Sequence, residues 1–327
     1  RSIDTFYPEV GARKIRFDYL VIATGMRPSY FGHDEFARFA PGLKSLRDAE
    51  TIRAKILSAY ELADATDDEN ERARQMTFVL VGAGPTGVEL AASMAQLAAV
   101  ALRGQYRRVD PATSSIIVVE GGNRILPTFA ESLARKAARR LEKLGVKILT
   151  GVKVEKVDDS GVIANGKRIR SATVLWTAGV APSPLVKLLG VKTDHAGRVS
   201  VGPLMNVPDV AGVFVVGDAS SVVRDGRPVP GVAQAAIQQG RYVGRLIARE
   251  LKGHQPQRPF RYLDKGNMAV VGKNFAILER GQLRMSGFFA WLVWAVLHVI
   301  RFPSRRTSGG SEANGFGPIS AGSAARN

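Results

Sequence analysis

Thr77-Phe78-Val79-Leu80-Val81-Gly82-Ala83-Gly84-Pro85-Thr86-Gly87-Val88-Glu89-Leu90 is the stretch that decides the fold of this chain. A short apolar run leads into glycines at 82, 84 and 87, and a helical pattern follows from Val88 to Ala101. Strand, glycine turn and helix in that order form a dinucleotide-binding unit. Gly82 permits the tight turn, Gly84 lets backbone approach a pyrophosphate, and Gly87 lets the helix lie close to the strand. Pro85 and Thr86 open the helix, whose first N–H groups and positive dipole end attract phosphate.

Working outward, Ile116–Val119 reads as the next strand and ends at Glu120. A carboxylate there can accept both hydroxyls of a ribose and repel a 2′-phosphate, which favours NADH. The wide spacing from Gly87 is filled by a long helix and the Asp110-Pro111 loop. Glu120 also reads as a solvated turn acid, and Arg124 nearby argues less firmly against NADPH. Leu46–Arg74 has a polar helical pattern, with an acidic turn from Asp64 to Glu71. Leu133, Ala137, Leu141 and Leu144 recur at helical spacing over Glu131–Leu144. Val146–Leu149 and Val174–Trp176 read as strands, and three short strands between Lys153 and Ile169 turn at Asn165-Gly166.

On either side the pattern differs. Tyr19–Ala23 reads as a buried strand ending at Thr24-Gly25, and Gly212–Val216 as another running into Gly217-Asp218. A long helix spans Val232 to Leu251, strands return over 260–281, and Gly287–Phe302 is an apolar helix. From Pro303 the chain is rich in Gly, Ser and Arg without apolar periodicity, the composition of a disordered tail.

Forty-six Lys and Arg against 29 Asp and Glu give a net charge of +17. That balance suits an anionic partner such as lipid headgroups, although an Arg-rich surface explains it equally. No nucleic-acid motif accompanies it, so nucleic acid is not expected as a partner. There is no cysteine, which excludes disulfides, thiolate chemistry and Cys-ligated metal within this chain. The four histidines show no metal-ligand spacing, and no metal is expected. No run reaches the ~20 apolar residues of a membrane-spanning helix. The first residue is Arg, which suggests a processed chain or a fragment.

Several segments together carry a resemblance. They are Tyr19–Gly25, Tyr30-Phe31-Gly32-His33-Asp34, Gly82–Glu89, Arg124-Ile125-Leu126-Pro127 and Trp176–Gly179, then Phe214–Ala219, Ala233-Gln234-Ala235-Ala236-Ile237-Gln238-Gln239-Gly240 and Lys265-Gly266, and last Trp291 with His298. Over residues 1–301 the chain resembles the two-dinucleotide-binding-domain flavoproteins, and more narrowly the type II NADH dehydrogenases, single-subunit NADH:quinone oxidoreductases.

The resemblance implies an α/β fold of two Rossmann-like domains, one for FAD and one for NADH inserted in it, plus a C-terminal membrane-associated helix. The family's own FAD fingerprint is not present in this sequence, so the FAD domain is expected to be incomplete. The expected division is residues 1–45 and 181–253 for FAD, 46–180 for NADH, 254–302 for quinone and membrane, and 303–327 as tail.

The resemblance also implies roles. Gly217-Asp218 would meet the flavin's ribityl chain and phosphate, and the helix opening at Ala233 would point its dipole at the flavin. Thr24-Gly25 and Thr177-Ala178-Gly179 would mark the crossings between domains. Glu89 would lie near nicotinamide and flavin; read alone, it only complements a helix dipole. Gln234 and Gln238 share a helix face and would meet a membrane quinone, whereas isolated helix glutamines face solvent. Gln239 is an alternative to Gln238. Lys265 would stand beside the flavin; without the match it is a surface lysine.

Phe288–Ile300 is too short to span a bilayer and is flanked by Arg284, Arg301, Arg305 and Arg306. Such a helix suits an anionic membrane surface, or a buried core or dimer contact. The resemblance thus implies FAD and NADH as cofactors and a peripheral site on the cytoplasmic face of the inner membrane, and it accommodates a homodimer. Two other readings remain at this stage: a soluble reductase for a protein or disulfide acceptor, and a non-catalytic NADH-binding fragment.

Overall fold

A computed structural model describes residues 1–7, 10–224, 226–254 and 258–301. The expected tail from 303 onward lies outside the described residues, as do the side chains of His298, Arg305 and Arg306.

The centre is a parallel four-stranded sheet in the order Thr173–Trp176, Thr77–Val81, Ser115–Glu120, Val146–Thr150. The strands Thr173–Trp176, Thr77–Val81 and Ser115–Glu120 are near-continuous apolar runs because both their faces are covered, whereas the edge strand Val146–Thr150 is largely exposed. Phe78 and Leu80 point to one face and join the helices Leu46–Ala65, Pro85–Gln96 and Glu131–Lys143 in a single core. Val79 and Val81 point to the other and pack with Tyr30, Phe36, Val162 and Trp176. Each fully buried side chain of this kind contributes about 1.5–3 kcal/mol. The second face is capped by the antiparallel sheet Val154–Asp158, Gly161–Ala164, Lys167–Arg170, whose turn at Asn165-Gly166 has positive φ at both residues.

The polar stretch expected as one helix is two, Leu46–Ala65 and Glu69–Gln75. Ser45 and Asp48 form a reciprocal capping box at the start of the first, and Asp68 caps the second through Asn70 N–H. The break at 66–68 follows from that second cap. The helix after the glycines likewise ends its α-helical part at Gln96 and widens into a π-turn over Leu97–Ala101.

A second parallel pair joins Leu20–Ile22 to Val213–Val215. Tyr19–Ala23 was expected as a buried strand, but only Ile22 is buried, and Val21 is 42% exposed. Among the described residues Leu20–Ile22 is paired along one edge only, so its second edge and one face are uncovered. The two crossings between this pair and the central sheet run side by side as Met26–Pro28 and Val180–Pro182, antiparallel. The helix Ala233–Glu250 packs Val243 and Leu246 against Phe214 and Val216.

The C-terminal region is a three-stranded antiparallel sheet, Asn267–Val270, Ala276–Arg280, Leu283–Gly287, followed by the helix Phe288–Arg301. Ala269, Val271 and Ile277 enter the main core. No helix among the described residues is long and apolar enough to cross a membrane.

Candidate dinucleotide and flavin sites

The three fingerprint glycines separate into three jobs. Gly82 has φ +107, and a Cβ there would lie 2.6 Å from Ala178 N. At Gly87 a Cβ would overlap the Gly82 carbonyl oxygen and stand 2.8 Å from Thr177 Oγ1, so helix and strand meet backbone to backbone. Gly84 has ordinary φ of −69, and a Cβ there would meet nothing within 4 Å. Its missing side chain leaves a cradle open to the cleft. Gly84 caps the helix without a side-chain hydrogen bond and Pro85 follows, so no side chain competes for the first-turn N–H groups.

The cleft encloses about 650 Å³ along the C-terminal edge of the sheet. It crosses three strand ends in spatial order: Glu120, then Gly82 and Gly84, then Thr177 to Gly179. That volume falls in the range of roughly 300–1,000 Å³ typical of cofactor sites. Glu120 is held rigidly: Ala83 N–H donates to Oε2 at 2.7 Å and Gly122 N–H to Oε1 at 2.8 Å. Each oxygen keeps acceptor capacity for a further donor. Arg124 is committed elsewhere, its guanidinium donating to the carbonyls of Phe129 and Pro127, both at 2.8 Å. It braces its own loop with two of its five N–H donors. Lys153 is an exposed cation on the cleft wall that the sequence reading did not single out.

Glu89 is half-buried, and its Oε1 accepts the Val270 N–H at 3.0 Å. It ties the fingerprint helix to the C-terminal sheet, a long-range contact invisible in local sequence.

The second parallel pair forms its own edge. Thr24-Gly25 and Gly217-Asp218 leave adjacent strands at the same end, and Val216 N–H donates to the Ile22 carbonyl at 3.0 Å. Gly25 and Gly217 both have positive φ, and nothing lies within 4 Å of a Cβ placed on Gly25. Asp218 lies beside Gly231, and no hydrogen bond to its carboxylate occurs among the described residues. The helix opening at exposed Ala233 has no side-chain cap. A glycine turn, an available carboxylate and an uncapped helix N-terminus fit the hydroxyl-bearing chain and polar edge of a flavin.

Gln239, raised only as an alternative, is 3% exposed and organises this edge. Its Oε1 accepts from Gly217 N–H at 2.6 Å and Ser220 Oγ at 3.2 Å. Gln234 and Gln238 were expected to offer free amides to a quinone. Instead, both ends of each amide are engaged. Gln234 donates to Gly266 O and accepts from Lys265 N–H at 2.9 and 3.1 Å. Gln238 donates to Leu263 O and accepts from Leu263 N–H, both at 2.9 Å. The two side chains clamp the backbone of 263–266, and Lys265 projects from that clamped segment as an exposed cation. Each NH2 group keeps one N–H beyond the clamp, so a quinone carbonyl could meet only that second donor while the clamp stays closed.

Phe288, Phe289, Leu292, Val293 and Val296 leave an exposed apolar face on the C-terminal helix, while Ala290 is buried against the preceding sheet.

With this geometry in view, comparison with known proteins is informative. Residues 4–240 match the pyridine nucleotide-disulphide oxidoreductase family. The chain is 44% identical over 294 residues to the type II NADH:quinone oxidoreductase Ndh of Mycobacterium tuberculosis, covering 86% of this chain and 63% of that protein. It is 30% identical over 312 residues to an internal alternative NAD(P)H-ubiquinone oxidoreductase of Arabidopsis thaliana, covering 90% and 61%. It thus spans about three fifths of the length of these relatives. Among solved structures, NDH2 from Plasmodium falciparum in complex with NADH superposes with a TM-score of 0.82 at 20% identity, over 91% of this chain and 77% of that one. A NAD-dependent persulfide reductase from A. fulgidus aligns at TM-score 0.64 and 21% identity, over 86% and 47%. At those identities the structures speak for the fold.

Proposed function

The chain belongs to the pyridine nucleotide-disulphide oxidoreductase family, and from that premise we propose that it is part of an FAD-dependent NADH:quinone oxidoreductase of the type II kind. The relatives named for that activity support the reading. The observation that carries it is the cleft from Glu120 across Gly84 to Gly179, an extended track fitted to a dinucleotide.

In this reading Glu120 receives the adenosine ribose hydroxyls, and the open backbone at Gly84 with the first-turn N–H groups of Thr86 and Gly87 receives the pyrophosphate. The nicotinamide half then falls at Thr177–Gly179, toward the second parallel pair. Thr24, Gly25, Gly217, Asp218 and the N-terminus at Ala233 hold the flavin. Bound flavin supplies the hydride acceptor and relays two electrons onward. The protein's contribution is positioning. Gln239 fixes the Gly217 turn, Gln234 and Gln238 fix Lys265 in front of the helix N-terminus, and Glu89 locks the fingerprint helix to the C-terminal sheet. Lys265 places a positive charge where reduction adds electrons.

The exposed apolar face formed by Phe288, Phe289, Leu292, Val293 and Val296, which follows exposed Arg284, would rest on anionic lipid and draw quinone from the bilayer. The surface would be the cytoplasmic face of the inner membrane. A homodimer is compatible with the proposal, and light scattering of the purified chain measures it.

The deciding experiment purifies the chain with FAD, looks for a retained flavin absorbance band, and follows NADH oxidation with added quinone. Quinone-dependent oxidation supports the proposal. Turnover with ferredoxin or a disulfide and none with any quinone overturns it.

A further inference from the structure

We infer that Phe31 is a positioning residue for the nicotinamide half of the bound dinucleotide, the aromatic wall at the far end of the cleft from Glu120. The inference rests on the reading of this cleft as an NADH site. Four observations carry it.

Phe31 sits in the left-handed backbone region with φ +54, which a side chain of its size adopts against steric resistance. It is 68% exposed, although its neighbours Tyr30 and Phe36 are buried at 8% and 3%. Core packing therefore accounts for those two, whereas Phe31 makes one tilted ring contact with Trp176, centroids 6.4 Å apart, and stays mostly exposed. The ring lies over Gly179: a Cβ there would overlap Phe31 Cζ and stand 2.9 Å from Cε2. And Phe31 lines the same cleft as Gly82, Gly84 and Glu120.

The strained turn is held from several sides. Trp176 Nε1 donates to Ser29 O at 2.8 Å, Ser29 N–H donates to Gly179 O at 3.3 Å, and Tyr30 Oη donates to Ala40 O at 2.9 Å. The adjoining crossings Met26–Pro28 and Val180–Pro182 are paired to each other. Strain that surrounding structure over-determines, at the mouth of a cleft, marks a residue kept for a ligand. An exposed aromatic beside a side-chain-free glycine fits a flat ring. The order of strand ends decides which ring. Adenosine is taken by Glu120 at the end of Ser115–Glu120, so the ring reaching Gly179, two strands away in the sheet, is the nicotinamide.

Calorimetry on the purified chain tests this with two probes, NADH and ADP-ribose, which shares every group except the nicotinamide. Phe31→Ala is expected to weaken NADH about tenfold and to leave ADP-ribose within about twofold, the loss of one aromatic contact. Phe31→Tyr, which keeps the ring, should restore NADH affinity. Equal weakening of both probes would assign Phe31 a purely structural role and overturn the inference, as would unchanged NADH affinity in Phe31→Ala. Wild-type chain that binds neither probe removes the dinucleotide site and the inference with it. Wild type binding both, with Phe31→Ala indifferent, overturns only the inference.

Discussion

Alanine at Gly87 and alanine at Gly84 should fail in opposite ways. The Cβ of Gly87→Ala would overlap a backbone oxygen at Gly82 and crowd Thr177 Oγ1. Neither can swing aside: the oxygen is main chain, and Thr177 Oγ1 already donates to the carbonyls of Val81 and Gly82 at 2.9 and 2.8 Å. The fingerprint helix must back away by roughly 1 Å from a close-packed sheet. Overpacking costs about 1–3 kcal/mol when flexible side chains absorb it. With backbone on both sides the upper end applies, about 3 kcal/mol. For a chain of 327 residues that lowers the melting temperature by about 4 °C. Gly84→Ala meets nothing within 4 Å and keeps an ordinary φ. Alanine is a poorer helix cap than glycine by some tenths of a kcal/mol, which its smaller unfolded-state entropy offsets. Its melting temperature should stay within about 2 °C of wild type. The new methyl fills the cradle, so NADH affinity should fall at least about tenfold. Thermal unfolding and NADH fluorescence titration of both variants read the two effects apart. Gly87→Ala melting like wild type, or Gly84→Ala binding NADH like wild type, would refute the division of labour among the glycines.

Glu120→Gln retains the shape but can accept at one atom only, losing the charge and one of the two backbone anchors. NADH affinity should drop about tenfold and the preference over NADPH should narrow; equal titrations of both nucleotides in mutant and wild type would contradict this. Gln239→Leu strands the Gly217 N–H in a buried site. It should lower unfolding free energy by about 2–3 kcal/mol in urea and speed flavin loss, and a variant with unchanged midpoint and flavin content would dismiss Gln239 as organiser. The Arg74 guanidinium holds the Glu71 carboxyl at about 2, against its ordinary 4.5. The folded value is the lower one, so the pair's stabilisation is present above the unfolded value and disappears as pH falls from about 4.5 toward 2. Wild type should lose urea stability more steeply than Glu71→Gln across that window, and parallel slopes would count against the pair.

That Gly82, Gly84 and Glu120 would line one candidate cleft was legible in sequence because its determinants are local. Gly82, Gly84, Gly87 and Glu120 lie on one strand–turn–helix–strand unit, and each glycine's role follows from backbone sterics within that unit and its closest packing partner. Strand periodicity gave the parallel sheet for the same reason, since both faces of all but the edge strand Val146–Thr150 are buried. Helix breaks were less visible. The stop at 66–68 depends on Asp68 capping a second helix, and many polar residues at that place would read the same way.

Side-chain commitment was decided by tertiary structure. Arg124, Glu89, Gln234 and Gln238 are ordinary polar residues to a sequence reader, with every hydrogen bond apparently available. Folding brings Val270 N–H to Glu89, loop carbonyls to Arg124, and the backbone of 263–266 to both glutamines, from 25 to 181 positions away for all but Arg124. Buried polar groups must find partners, and which partners arrive depends on chain packing rather than neighbouring residues. Phe31 shows the same limit: its aromatic character is plain in sequence, but its left-handed backbone and its place over Gly179 exist only once two crossings between sheets lie side by side. The sequence by itself determined the strand, glycine turn and helix on which the candidate dinucleotide cleft is built. The tertiary structure decided which side chains remain free to face it.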